Sequence, residues 1–260
     1  MRQGQPQVNL TLTPMVKALI IINVTIWVVF QLLLEGYGGV KFSYYLGLYP
    51  GKFIYEYAIW QPLTYMFLHS LQVSHILFNM LTLWFVGVEL EQRWGKKFFL
   101  WYYLITGVGA ALIYCFVMAI YSAITGSQQG LVVPVVGASG AIFGLLLAYG
   151  IIFGERQMYF MMVFPMKAKY FVLVLGAIEV VSILTSGVTG GEVAYLAHLG
   201  GLISGYLTLL GWTRIQQSQW RKAQKKKGGG RLRLVVDNDA TKDQNKGSGK
   251  GHDNDPKYWN

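Results

Sequence analysis

The stretch GASGAIFGLLLAYGIIF, residues 137–153, decides the fold. It carries no formal charge, is rich in glycine and bulky apolar side chains, and holds one nucleophile, Ser139. A membrane-crossing helix needs about 20 apolar residues. This segment, read as 137–154, is a little short for that. It reads as a helix that begins below the surface, at the end of a loop dipping into the protein. The poverty of charge continues on both sides. Between Phe98 and Trp212 the only formal charges are Glu155, Arg156, Lys167, Lys169, Glu179 and Glu192. Over all 260 residues, 53% are hydrophobic and 13% charged, with a mean hydropathy of +0.39. Soluble domains carry about 25% charged residues, so the chain reads as a polytopic membrane protein.

Working outward, six apolar runs approach spanning length: 17–35, 72–90, 98–121, 137–154, 168–185 and 193–212. The fold class expected is an all-α, six-span bundle over 17–213. A polar lead, 1–16, precedes it, and a basic, disordered tail, 214–260, follows. No small-residue cleavage site follows the first run, so it reads as a retained span. The long loop 36–71, with groups such as YYLGLYP and WQPLTYMFLHS, is rich in aromatics, which favour the headgroup level. Glycine numbers 31 and concentrates within or beside spans, where small residues let helix backbones approach.

Charge orients the spans. Arg93, Lys96 and Lys97 follow the second, and Arg156, Lys167 and Lys169 follow the fourth. The tail from Arg214 holds 12 Lys/Arg against 5 Asp, or +7 of the net +10. Loop 122–136 is uncharged, and 186–192 has only Glu192. The positive-inside rule then predicts cytoplasmic termini, with the starts of the fourth and sixth spans facing outward. A basic flank after a last span is the signature of a segment beside anionic lipid, which argues against nucleic acid as a partner. Within the tail, GGGRLRLVV could pair as a short strand, while the remainder is too polar to fold alone. His252 reads as a solvated histidine. The single cysteine, Cys115, lies in an apolar run, so no intrachain disulfide, metal or redox centre and no cofactor is expected.

Polar groups inside spans mark function by default, because hydrocarbon penalises them unless they are paired. Ser139 lies 16 residues before Glu155, His198 lies 16 before Arg214, and His75 lies 16 before Glu91. At 1.5 Å per residue each stands roughly 24 Å above the inner boundary, in the outer third of the hydrocarbon layer. Asn79 sits one turn deeper on the face of His75. Gly140 and Gly144 follow Ser139, and Gly201 and Gly205 follow His198, in small-xxx-small pairs that permit close helix crossing. A serine and a histidine in hydrogen-bond reach form a nucleophile and its base. On the residues alone, three readings stand: a hydrolytic pair, a transporter or channel, or a purely structural polar network.

The motifs HILFNM (75–80), ELEQRWG (89–95), GASGAIFG (137–144) and AHLGGLISG (197–205), in this order, resemble the rhomboid family of intramembrane serine proteases, over about 54–212. The family's bacterial core has six spans. The resemblance implies that Ser139 is the nucleophile and His198 the base. His75 and Asn79 support the oxyanion, with backbone N–H near Ser139, and Gly137, Gly140, Gly201 and Gly205 belong to the supporting shell. Phe143 stands where relatives carry an aromatic stacked on the histidine. No carboxylate third member is implied. Glu179, judged two turns or more from the outer third, is expected to make a structural bond only. Glu91 and Arg93 resemble a structural Glu-x-Arg pair, and Gln61 stands where many relatives have arginine. The resemblance further implies single-span or polytopic membrane proteins as substrates and a bacterial plasma (inner) membrane location. Substrate would reach the site between the second and fifth spans, or under loop 186–192. The rival reading within the family is a client-binding protein without proteolysis, whose members have typically lost the Ser or His.

Overall fold

The computed structural model describes residues 11–160, 163–186 and 194–227. Six apolar helices build the membrane unit, which ends at Ile215. They are Pro14–Glu35, Val73–Trp94, Lys96–Thr125, Ser139–Ile152, Ala168–Ser186 and the apolar part of Ala194–Lys227. Five are long enough to cross a membrane. The fourth has 14 residues, or about 21 Å at 1.5 Å per residue. It buries residues on all sides, including Ala141, Leu145, Ala148 and Tyr149. A helix apolar all round belongs at the centre. The second, third and fifth helices pack on it and the sixth meets it at Gly201 and Gly205, while large apolar side chains such as Phe78, Trp101, Phe116 and Leu184 are exposed on outer faces.

The first span begins where Pro14 follows Thr13. Its open backbone donors meet a carboxylate from another helix. Glu91 accepts from the N–H groups of Met15 at 3.0 Å and Val16 at 2.9 Å, and from the Thr13 hydroxyl. A negative charge suits a helix N-terminus, whose N–H groups lack intrahelical partners. From Ile26 to Glu35 the winding widens to a π-helix. This stretch directs two polar side chains at the loop before the second span. Gln31 donates to the His69 carbonyl at 2.6 Å and accepts from its N–H at 2.7 Å, while Trp27 donates to the Ser70 carbonyl at 2.9 Å.

The second and third spans are joined through Gly95 alone, at φ +78°. That conformation disfavours any side chain. The aromatic loop folds back as short helices at Phe42–Leu46, Pro50–Tyr55 and Gln61–Thr64. It is tied to the segment before the fourth span by a Leu48–Val135 bridge and by a bond from Gly137 N–H to the Tyr65 carbonyl at 3.0 Å. Gln61, buried, accepts from the Tyr49 N–H at 3.0 Å.

Between the fourth and fifth spans Gln157–Phe160 pairs antiparallel with Phe164–Lys167. One expectation is corrected. The tail does not begin disordered at residue 214, because the sixth helix runs on to Lys227. Hydropathy falls there, yet RIQQSQWRKAQKKK is made largely of good helix formers. Residues Gln216–Asn260 form a second unit. The GGGRLRLVV stretch, His252 and the glycines of loop 186–192 lie outside the described residues.

Candidate active site

Ser139 opens the fourth helix, directly after the turn at Gly137, whose φ is +131°. His198 lies one turn into the sixth helix. The two meet because glycine removes the side chains that would hold their helices apart. A Cβ built on Gly201 would lie 2.1 Å from the Gly140 carbonyl oxygen, and one on Gly205 would lie 3.0 Å from the Gly144 Cα. At that approach His198 Nε2 sits 2.8 Å from Ser139 Oγ. The ring of Phe143 stacks on the imidazole, with centroids 4.3 Å apart and planes inclined by 8°. The stack leaves the imidazole little rotational freedom except in its own plane.

The other edge of the imidazole corrects an expectation. His198 Nδ1 lies 3.2 Å from Glu179 Oε1, so a carboxylate does stand third in line. Counting residues from the inner ends assumed that groups must share a depth to interact. The imidazole instead stands between the two, with Ser139 on one side and the longer glutamate side chain on the other.

His75 lies beside this line, with Asn79 one turn along the same helix. The His75 Nδ1 accepts from the Ser70 backbone N–H at 3.0 Å and lies 3.1 Å from the Ser70 hydroxyl. A neutral imidazole that accepts at Nδ1 carries its proton on Nε2. That Nε2 edge faces Gly137, where an added Cβ would sit 3.1 Å from Nε2 and 3.5 Å from Ser139 Oγ. His75 is therefore held as a donor pointed at the space beside Ser139. Asn79 spends one amide N–H on the His75 carbonyl at 2.8 Å and retains a second. A donor fixed in that space is the arrangement that stabilises an oxyanion in acyl transfer.

Sequence reading missed the support behind His75. Gln31 clamps both backbone groups of His69, and this fixes the N–H of Ser70, one residue on, against His75. A glutamine inside the first apolar run was the available signal. His69 itself is 1% exposed, its ring centroid lies 5.3 Å from that of His75, and neither ring nitrogen has a hydrogen-bond partner among the described residues. Burial, with a smaller push from His75, holds its pKa down to about 3 against the ordinary 6.5.

The sign of the linkage follows. The folded protein keeps His69 neutral while the unfolded chain protonates near 6.5, so stability is full above that pH and falls as acid is added toward about 3. At about pH 5 the loss is about 2 kcal/mol. Thermal unfolding in detergent near pH 7.5 and pH 5 is expected to show an acid-induced fall in wild type that is smaller by about 2 kcal/mol in His69→Phe. Equal falls in the two proteins would show that His69 is not the acid-sensitive group.

Comparison with known proteins bears on this geometry. The rhomboid domain family matches residues 56–216. RHOMBOID-like protein 1 of Arabidopsis thaliana is 32% identical over 59% of this chain and 34% of its own length. Rhomboid protease GluP of Bacillus subtilis is 31% identical over 56% of the chain and 25% of its own length. Rhomboid protease AarA of Providencia stuartii is 30% identical over 60% of the chain and 58% of its own length. The matched region thus spans between a quarter and a little over half of these relatives.

Proposed function

We propose that this chain, which belongs to the rhomboid family, is an intramembrane serine endopeptidase cleaving client proteins in or near their membrane spans. The observation that carries the reading is the 2.8 Å contact of Ser139 Oγ with His198 Nε2 inside the helix bundle. The relatives named rhomboid proteases in two bacteria support it.

In the proposed reaction the Ser139 hydroxyl passes its proton to His198 Nε2 as Oγ bonds to the scissile carbonyl carbon. The carbonyl electrons move to oxygen, where His75, Asn79 and backbone N–H groups donate to it. His198 then gives the proton to the departing amine, the C–N bond breaks, and an acyl-serine remains. Water, deprotonated by the same imidazole, releases the acid and restores the serine. A client span is internally hydrogen-bonded, so it must unwind before its carbonyl is accessible. Helix-breaking or small residues near the client's outer end favour that step.

We place the protein in a bacterial plasma (inner) membrane on its likeness to the two bacterial proteases. The Lys/Arg asymmetry of its loops supports cytoplasmic termini and a site opening outward. Its partners are membrane-protein substrates and the bilayer. The test is cleavage of a tagged single-span protein by purified enzyme in liposomes. Wild type is expected to cleave and Ser139→Ala to lose cleavage. Equal cleavage by Ser139→Ala would overturn the mechanism. No cleavage by either, across clients that differ in helix stability, would favour client binding without proteolysis.

A further inference from the structure

The fifth helix, Ala168–Ser186, buries three residues among those described: Ala168, Val172 and Glu179. The first two pack apolar surface inward, and a Cβ on Gly150 would lie 2.9 Å from Val172 Cγ2. The third is a carboxylate, a residue type that hydrocarbon penalises unless it is paired. It is not turned to the lipid face: its side chain is 7% exposed and Oε1 lies 3.2 Å from His198 Nδ1. Its second oxygen, Oε2, has no hydrogen-bond partner among the described residues. A buried carboxylate held by one bond is a poor stabilising element. The same group gains most when its partner becomes a cation. That moment arrives when His198 takes the serine proton.

We propose that Glu179 is the positioning residue of a Ser139–His198–Glu179 relay, accepting the Nδ1–H of His198 and stabilising the imidazolium formed during each proton transfer. The proposal rests on the protease reading above. Two consequences of the geometry act together. A carboxylate can only accept, so it holds the proton of neutral His198 on Nδ1 and leaves the Nε2 lone pair facing Ser139 Oγ at 2.8 Å. The opposite tautomer would present Nε2–H to the serine and could not act as a base. As the proton moves from Oγ to Nε2, the new positive charge is shared by a ring already bonded to an anion. The transferred proton passes through His198 alone and leaves on the amine. An interaction stronger in the transition state than in the ground state raises kcat and leaves KM little changed.

Phe143 and Glu179 divide the constraint between them. The phenyl ring fixes the plane of the imidazole, and the carboxylate fixes its rotation within that plane. Neither contact replaces the other. Glu179 touches no reacting atom, so its effect has to be read through His198.

The experiment compares full-length wild type, Glu179→Gln, Glu179→Asp, Ser139→Ala and His198→Ala in liposomes on one tagged single-span client. In serine proteases with a buried aspartate behind the histidine, neutralising it lowers kcat by about 10⁴-fold. Here Glu179→Gln is expected to lower kcat by about 10²-fold or more with KM changed less than about threefold, and Glu179→Asp is expected to recover part of the loss. Labelling of Ser139 by a fluorophosphonate should slow in the same order. Wild type labelled with ¹⁵N-histidine should show a strongly downfield His198 Nδ1–H resonance that Glu179→Gln removes. If Glu179→Gln keeps kcat within about threefold, or wild type lacks the downfield resonance, the relay is overturned. The resonance decides the matter even should the variant not fold. With Ser139→Ala inactive in the same assay, such a result leaves the protease reading standing. Cleavage by Ser139→Ala would remove that reading first.

Discussion

Replacing His198 by alanine is expected to lower kcat/KM for a membrane-span client by about 10⁶-fold, the order of loss found when a serine protease loses its base. Near neutral pH a serine hydroxyl is a weak nucleophile until a neighbour takes its proton as the new bond forms. Within the bundle, Nε2 of His198 stands 2.8 Å from Oγ with its ring plane set by Phe143. His75, the other imidazole near Ser139, points a donor edge at that space because its Nδ1 accepts from Ser70 N–H, so it cannot substitute as the base. Two further readouts separate loss of the base from loss of the fold. Fluorophosphonate labelling of Ser139 should slow by a similar factor while the thermal midpoint changes little. The double variant with Ser139→Ala should cleave no more slowly than either single one, because the pair acts as a unit. A His198→Ala enzyme labelling within about tenfold of wild type would remove His198 from the base role.

How much of this was legible in the sequence differs from residue to residue. The span count was legible because it follows from apolar length, and the fourth helix declared itself by being short. The meeting of Ser139 with His198 was foreshadowed by glycines at Gly140, Gly144, Gly201 and Gly205, whose spacing marks faces that can approach. The contact of Glu179 with His198 was not legible. It depends on how the fifth and sixth helices are set against each other and on the reach of a flexible side chain, and neither leaves a periodic trace. Gln31 could have been found, since a polar residue within an apolar run demands a partner. Its partner could not, because the π-wound stretch Ile26–Glu35 changes which face it occupies. The helical continuation to Lys227 was missed because the end of a span was read from hydropathy, whereas a helix stops where its propensity or caps stop it.

Gly201→Ala is expected to cost both stability and most of the activity, although it adds one methyl group. The added Cβ would lie 2.1 Å from the Gly140 carbonyl oxygen and 3.3 Å from the Gly140 Cα. Ordinary carbon–oxygen contacts need about 1 Å more, and backbone on the opposing helix cannot swing aside as a side chain can. The fourth and sixth helices must therefore separate or slide. Overpacking of this kind costs about 1–3 kcal/mol. The larger consequence lies one residue away. Ser139 precedes Gly140, and His198 sits three residues before Gly201 on the same helix, so their 2.8 Å contact inherits the displacement. A misplacement of about 1 Å costs on the order of 10²-fold in rate. Gly211→Ala on the same helix is the control, since a Cβ there meets nothing within 4 Å. Both variants raise helix propensity equally, so propensity cancels between them. Gly201→Ala should lower the melting temperature and reduce kcat about 10²-fold, with Gly211→Ala near wild type in both. If Gly201→Ala keeps full kcat, the helices can part without moving Ser139 from His198, and the glycine seam is not what brings the pair together.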